Sequence, residues 1–136
     1  MILCDTGILI CLVDRTQPRH HDYRQLVIQL QESLTTNWAC LTEVMYLALR
    51  QGGWAMQKQV AQYLLDDLLT IYDIRSSDYG RLFELMEQYR DRPMDLADAT
   101  LVLTAEKTRE NRILTLDSDF LFYRIVDQKN FNIIQI

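Results

Sequence analysis

Residues 1–7 read Met1-Ile2-Leu3-Cys4-Asp5-Thr6-Gly7, an apolar run that stops at an acid and reopens on a small polar residue and a glycine. The run shows no alternation of polar and apolar side chains. A strand read this way is covered on both faces, which marks a parallel sheet rather than an antiparallel one. The same order returns near the other end of the chain, where Arg112-Ile113-Leu114-Thr115-Leu116 runs out at Asp117. In an open α/β sheet, the carboxyl ends of the strands form the ligand crevice. Asp5 and Asp117 both stand at such an end.

Between these two strands the pattern alternates. Asp5-Thr6-Gly7 leads into a brief apolar helix through Val13, and Pro18 and Arg19 mark a loop. From His21 to about Leu34, Leu26, Leu30 and Leu34 recur on one helical face. Leu34-Thr35-Thr36 reads as a second strand. A helix with Val44, Leu47 and Ala48 on one face starts near Thr42, and Gly52-Gly53 reads as its stop. Another helix is predicted over Trp54 to Thr70, then a strand at Ile71-Tyr72-Asp73-Ile74. Ser76 or Ser77 caps the helix that holds Leu82, Leu85, Met86 and Tyr89. Pro93 separates that helix from the next, Asp95 to Arg109. The strand Ile113 to Leu116 and a terminal strand, Phe131 to Ile136, complete the chain. Strands alternating with helices predict the α/β class, with a mainly parallel sheet of four to five strands covered on both faces. Neither a linker nor a repeat interrupts the pattern, so residues 1–136 read as a single domain.

The composition excludes several classes. With 136 residues the chain can bury a self-sufficient core, and 49% hydrophobic with 24% charged residues is ordinary for a folded globule. Nineteen acids against fourteen bases give a net charge of −5. That balance opposes a broad nonspecific nucleic-acid footprint. Site carboxylates neutralised by a cation soften the objection, and Arg90, Arg92, Arg109 and Arg112 are candidates for a local basic surface. Cys4, Cys11 and Cys40 are odd in number, lack CxxC spacing and lie among apolar neighbours, which predicts buried free thiols in a reducing compartment. With no leader-like segment and no bilayer-length apolar run, the expected location is cytoplasmic, with no membrane partner. No glycine-rich phosphate loop appears, and no Ser-His-Asp or Cys-His constellation.

The acids that carry chemistry are Asp5, Glu43, Asp98 and Asp117. Each also has an ordinary structural reading. Asp5 suits an N-cap, although Thr6 could cap instead and leave Asp5 facing the crevice. Glu43, in Cys40-Leu41-Thr42-Glu43-Val44, reads as an acid in a helix's first turn, half-buried among apolar neighbours. Asp95 and Asp98 sit at i and i+3 on one helical face, Asp95 mainly as cap and Asp98 mainly as site residue, with the reverse left open. Asp117 could serve a turn with Ser118 and Asp119, while Thr115, two residues earlier, shares its side of the strand. Phe120 reads as a core residue, and the histidines His20 and His21 as an exposed helix start. Carboxylates crowded at one sheet edge raise each other's pKa unless a cation joins them. The economical reading is a divalent-metal site.

Taken together, Ile2-Leu3-Cys4-Asp5-Thr6-Gly7, Leu41-Thr42-Glu43-Val44, Pro93-Met94-Asp95-Leu96-Ala97-Asp98-Ala99 and Leu114-Thr115-Leu116-Asp117-Ser118-Asp119-Phe120 resemble the PIN-domain nucleases, in particular the VapC-type toxins of bacterial toxin–antitoxin pairs. The likeness runs over essentially the whole chain, with Cys4 replacing a commoner Val, Ile or Leu. It implies a PIN-like α/β/α sandwich and a ribonuclease that depends on Mg²⁺ or Mn²⁺. The family's four acids fall on Asp5, Glu43, Asp98 and Asp117, with Asp5, Asp98 and Asp117 as metal ligands and Glu43 handling the attacking water. Thr6, Asp95, Thr115 and Asp119 would support them. The resemblance further implies a homodimer and a cognate antitoxin whose tail enters the acidic groove. Two other readings stay open: a catalytically weak or inactive PIN-like domain acting as a protein-binding regulatory module, and a metal-dependent phosphatase. An aspartyl-phosphate mechanism would need a DxD pair that Asp5-Thr6-Gly7 lacks.

Overall fold

The computed structural model describes residues 1–136. The chain runs through β1 (Ile2–Cys4), α1 (Thr6–Val13), α2 (His20–Leu30), β2 (Leu34–Asn37), α3 (Trp38–Leu65) and β3 (Leu69–Tyr72). There follow α4 (Tyr79–Gln88), α5 (Leu96–Thr108), β4 (Arg112–Leu114), β5 (Arg124–Ile125), β6 (Lys129–Asn130) and β7 (Asn132–Ile133). Five strands form one sheet in the order β3-β2-β1-β4-β7, every neighbouring pair parallel. The expected sheet is therefore present, with helices on both faces.

Register explains why the strands are apolar throughout. Leu3 lies opposite Ile113, and Cys4 opposite Leu114. Successive side chains point to opposite faces. Ile2, Cys4 and Leu114 accordingly join a core built with Ile8, Leu12, Val44 and Ala48 of α1 and α3. Leu3 and Ile113 join the other core, with Leu82 and Leu85 of α4 and Leu101 and Leu103 of α5. Helix α5 is buried from Ala99 to Ala105, so it is apolar nearly all round.

The chain winds outward through β1, β2 and β3, then crosses back to place β4 beside β1. The reversal of winding falls between β1 and β4. Such a switch point opens a crevice beyond the carboxyl ends of the two strands. Asp5 leaves the first of them and Asp117 follows the second.

Several boundaries differ from the sequence reading, each for a local reason. Helix α3 begins at Trp38 rather than near Thr42 because the Asn37 side chain caps it, accepting from the Cys40 amide at 3.1 Å. Gly52-Gly53 is a kink and not a stop: Gly53 adopts φ 65°, ψ −158°, and the helix resumes to Leu65 instead of Thr70. Helix α2 ends at Leu30, where Gln31 turns left-handed at φ 53°, which frees Leu34 for β2. Strand β3 starts two residues before Ile71, at Leu69. A short helical turn, Ser76–Asp78, precedes α4, and Asp78 rather than either serine receives a local amide, that of Arg75 at 3.0 Å. Strand β4 ends at Leu114, short of Leu116, and the terminal strand shrinks to Asn132–Ile133. The small antiparallel β5–β6 ladder has no counterpart in the sequence reading. No helix is long and apolar enough to cross a membrane.

Candidate active site

Asp5 both caps α1 and faces the crevice, so the choice between Asp5 and Thr6 dissolves. One carboxylate oxygen accepts the Ile8 amide at 3.1 Å, and the other accepts the Thr115 hydroxyl. The Thr115 oxygen in turn accepts the Asp117 amide at 2.9 Å, and Asp117 accepts the Asp119 amide at 2.9 Å. This chain of bonds ties the loop after β4 to the end of β1. Burial raises the Asp5 pKa, and the bonds from Thr115 and Ile8 hold part of that rise back.

Asp95 is the cap of α5, its carboxylate taking the Asp98 amide at 2.7 Å. Asp98 is thereby placed on the first turn of the helix, half-buried, with the Tyr123 hydroxyl donating to it at 3.0 Å. Burial first, then the charges of Asp95, Asp117 and Asp5, push its pKa up to about 7 against the pull of the Tyr123 bond. Tyr123 itself is held well above the usual phenol range by burial and by the Asp98 charge. Glu43 accepts the Thr6 hydroxyl at 3.0 Å. It is exposed rather than half-buried, and it lies past the first turn because α3 begins five residues earlier, at Trp38. The desolvation and dipole reasons for noticing Glu43 therefore do not hold; its place on the cleft rim does. Beneath it Cys40 is buried, and burial raises its thiol pKa to about 12, which keeps it protonated and unreactive.

Asp5, Glu43, Asp95, Asp98 and Asp117 line a single cleft of about 320 Å³, together with Thr6, Gly7, Cys40, Ala97 and Leu116. No lysine or arginine lines it. Carboxylate oxygens of Asp98, Asp117 and Asp119 lie within 4.8 Å of one another. Asp119 joins Asp98 and Asp117 in this trio, while Asp5, the expected ligand, lines the same cleft with one bond to each of its oxygens. An all-oxygen donor set of this kind fits a hard divalent cation such as Mg²⁺ or Mn²⁺. A larger groove of about 400 Å³, walled by Val27, Ile28, Tyr63 and Leu68, lies at the amino ends of β2 and β3 and holds no such cluster.

The profile of the PIN domain matches residues 2–127. The chain belongs to the PIN-domain family. Ribonuclease VapC26 of Mycobacterium tuberculosis (strain ATCC 25618 / H37Rv) is 22% identical to it over 116 residues, covering 85% of this chain and 86% of the relative. Among solved structures, the fold is similar to that of Mycobacterium tuberculosis VapC20, described as a sarcin-ricin loop cleaving toxin, with a TM-score of 0.79 at 19% identity over 88% of this chain and 92% of that one. It is also similar to VapBC2 from Rickettsia felis, solved bound to a DNA fragment from its promoter, with a TM-score of 0.70 at 14% identity over 98% of both chains.

Around the cleft, this PIN domain makes contacts that its sequence does not announce. Tyr123 reaches Asp98 from 25 residues downstream, with no periodic signal to mark it. Asn37 links the end of β2 to α5 by donating to Thr104 at 3.3 Å, a contact that only tertiary packing creates. The four arginines proposed as a basic surface do not line the cleft together: Arg112 is consumed by Glu32 and Glu110, Arg90 pairs with Glu87, Arg92 pairs with Asp119, and Arg109 caps the far end of α5. Phe120 is buried, in keeping with its core reading, and the three cysteines are free and buried. His20 opens α2 with its ring nitrogen 2.7 Å from the Cys11 carbonyl, while His21 is exposed.

Proposed function

We propose that this PIN domain, residues 1–136 as one unit, is an endoribonuclease dependent on Mg²⁺ or Mn²⁺ and the toxin of a toxin–antitoxin pair. The observation that carries the proposal is the convergence of Asp98, Asp117 and Asp119, with Asp5 and Glu43 in the same cleft and Arg92, bonded to Asp119, as the one base paired with any of them. Carboxylates held this close repel one another, and the Asp98 pKa is raised by burial first and then by the charges of Asp95, Asp117 and Asp5. A structural salt-bridge cluster would pair each acid with a base, whereas Asp98 and Asp117 have none.

Asp98 and Asp117 are the principal ligands in this reading, with Asp5 and Asp119 completing the shell directly or through water. A bound divalent ion would acidify a water and offset the charge of the scissile phosphate. The protein's part is orientation. Thr115 and the Ile8 amide hold Asp5 rigid, Tyr123 fixes the rotamer of Asp98, and Asp95 sets where α5 begins. Glu43, exposed on the rim and steadied by Thr6, takes the proton of the attacking water. In-line attack leaves a 5′-phosphate and a 3′-hydroxyl. Single-stranded loops are the favoured targets because their backbone is accessible.

A cognate antitoxin and a homodimer belong to the same proposal. The likeness to VapC26 and to VapBC2 supports it. The exposed Trp38, Tyr46 and Leu49 on α3 offer apolar area for a protein partner. Three buried free thiols suit a cytoplasmic setting. The deciding experiment is cleavage of a structured RNA panel with Mg²⁺, Mn²⁺ or EDTA, beside Asp98→Asn. Cutting that requires metal and is lost in the variant is expected. Cutting that persists in EDTA would overturn the metal reading, and a folded, inert wild type would favour the binding-module reading.

A further inference from the structure

Arg92 stands apart from the other bases of the chain. Its guanidinium lies over the Phe122 ring at 3.7 Å to the centroid, and one Nη2 donates to Asp119 at 3.2 Å. No other lysine or arginine forms an ion pair with Asp5, Glu43, Asp95, Asp98, Asp117 or Asp119. It is the single fixed cation attached to the acidic cluster.

The donor count sets its use. A guanidinium has five N–H donors. Arg112 spends Nε, Nη1 and Nη2 on Glu32, Glu110 and the Met1 carbonyl, and Arg81 spends all three nitrogens on Glu84 and Glu106. Those two are structural arginines. The Arg92 side chain makes a single hydrogen bond and is 52% exposed. It is held in direction while most of its donors are free.

The backbone carrying it is braced. Arg92 precedes Pro93, and its amide bonds the Tyr89 carbonyl at 3.1 Å. Buried Met94 pins the far side of the loop. The Tyr89 hydroxyl accepts the Arg124 amide at 2.8 Å, which fastens the loop to the segment that presents Phe122. Phe122 is itself 49% exposed, an aromatic left at the surface beneath a cation.

We propose that Arg92, laid on Phe122 and leashed to Asp119, binds a backbone phosphate of the RNA strand as it enters the acidic cleft. This deepens the ribonuclease reading and rests on it. A polyanion approaching six carboxylates needs a positive contact, and a planar, pre-oriented guanidinium with open donors supplies one to a phosphate. An exposed ion pair such as Arg92–Asp119 holds weakly, so exchange of the carboxylate for a phosphate is cheap.

The test is fluorescence anisotropy of labelled single-stranded RNA oligonucleotides of several sequences, in the Asp98→Asn background with Mg²⁺, across a salt series. Arg92→Gln is expected to weaken binding about tenfold for every sequence and to lower the slope of log K against log salt by about 0.7, the value of one single-strand phosphate. Arg92→Lys keeps the charge without the planar fork and falls between. Phe122→Leu removes the aromatic face and loses a smaller part of the affinity. In the cleaving protein, Arg92→Gln raises KM and leaves kcat nearly unchanged, with an unaltered melting curve. Unchanged affinity and slope in Arg92→Gln, beside a wild type that cuts RNA, overturn the Arg92 role alone. A wild type that neither binds nor cuts overturns the ribonuclease reading, and this inference with it.

Discussion

At the level of single residues, Asp98 is the group whose ionisation the fold opposes most clearly within the cleft. An unfolded aspartate titrates near about 3.9, whereas Asp98 in the fold titrates at about 7. A carboxyl raised on folding favours the folded state in acid, and that contribution disappears as pH rises through the folded value. In EDTA the wild type should therefore lose stability between about pH 4 and 7, the part due to Asp98 being about 2 kcal/mol after solvent screening. Asp98→Asn keeps an acceptor for Tyr123 and removes the charge. Urea denaturation should show the variant more stable than wild type by about 2 kcal/mol at pH 8, and by only about a third of that at pH 5. Its RNA cleavage should fall at least about a hundredfold, the usual exchange of stability against activity at a site. Thr115 poses the opposite case. Its hydroxyl donates to buried Asp5 and accepts from Asp117. Thr115→Val leaves the Asp117 amide and one Asp5 oxygen without a partner and should cost about 2 kcal/mol in the same assay, while Thr115→Ser should retain most of the stability.

Among the elements, α3 shows how a sequence signal is read correctly in kind and wrongly in consequence. Gly52-Gly53 marks a break, but the residues beyond are still helical and still pack: Val60 is buried against the same core as Val44 and Ala48. Burial on both sides of the break keeps one bent element in place of two. Gly53 takes φ 65°, ψ −158°, a region nearly closed to side chains. Gly53→Ala should lower stability by about 1–3 kcal/mol by chemical denaturation. Gly80 is the contrast, exposed in α4 with nothing within 4 Å of an added Cβ. Gly80→Ala should stabilise by about 0.5 kcal/mol, through a less disordered unfolded chain and better helix propensity. Melting curves that shift the same way for both alanines would refute this account of the kink.

For the molecule as a whole, the acidic cleft couples folding to cations. An ion that binds only the folded chain stabilises it by mass action, and a domain of this size gains about 3–4 °C in Tm for each kcal/mol. Calorimetry should show Mg²⁺ or Mn²⁺ raising Tm at pH 8, EDTA reversing the rise, and the rise shrinking at pH 5, where Asp98 holds a proton. Asp117→Asn should abolish most of the shift. A shift of equal size at both pH values would place the ion elsewhere than at Asp98.

Local pattern in the chain was enough for the parallel sheet, the helices on both its faces and the acids at its strand ends. Apolar runs and helical spacing report burial face by face, and both are written within a few consecutive residues. The pairing that brings those acids into contact was not legible. Asp5 and Thr115 meet across 110 positions because β1 and β4 pair in one particular register, and nothing near either residue encodes that register. Past the last ladder bond the backbone is free of the strand's alternation, so the entry of Asp119 into the trio and the reach of Tyr123 follow from loop geometry, while the exposure of Glu43 follows from the Asn37 cap that starts α3 early. Arg92 follows the same logic: four arginines looked alike in sequence, and only packing separated the three held by glutamates or left outside the cleft from the one fixed above Phe122.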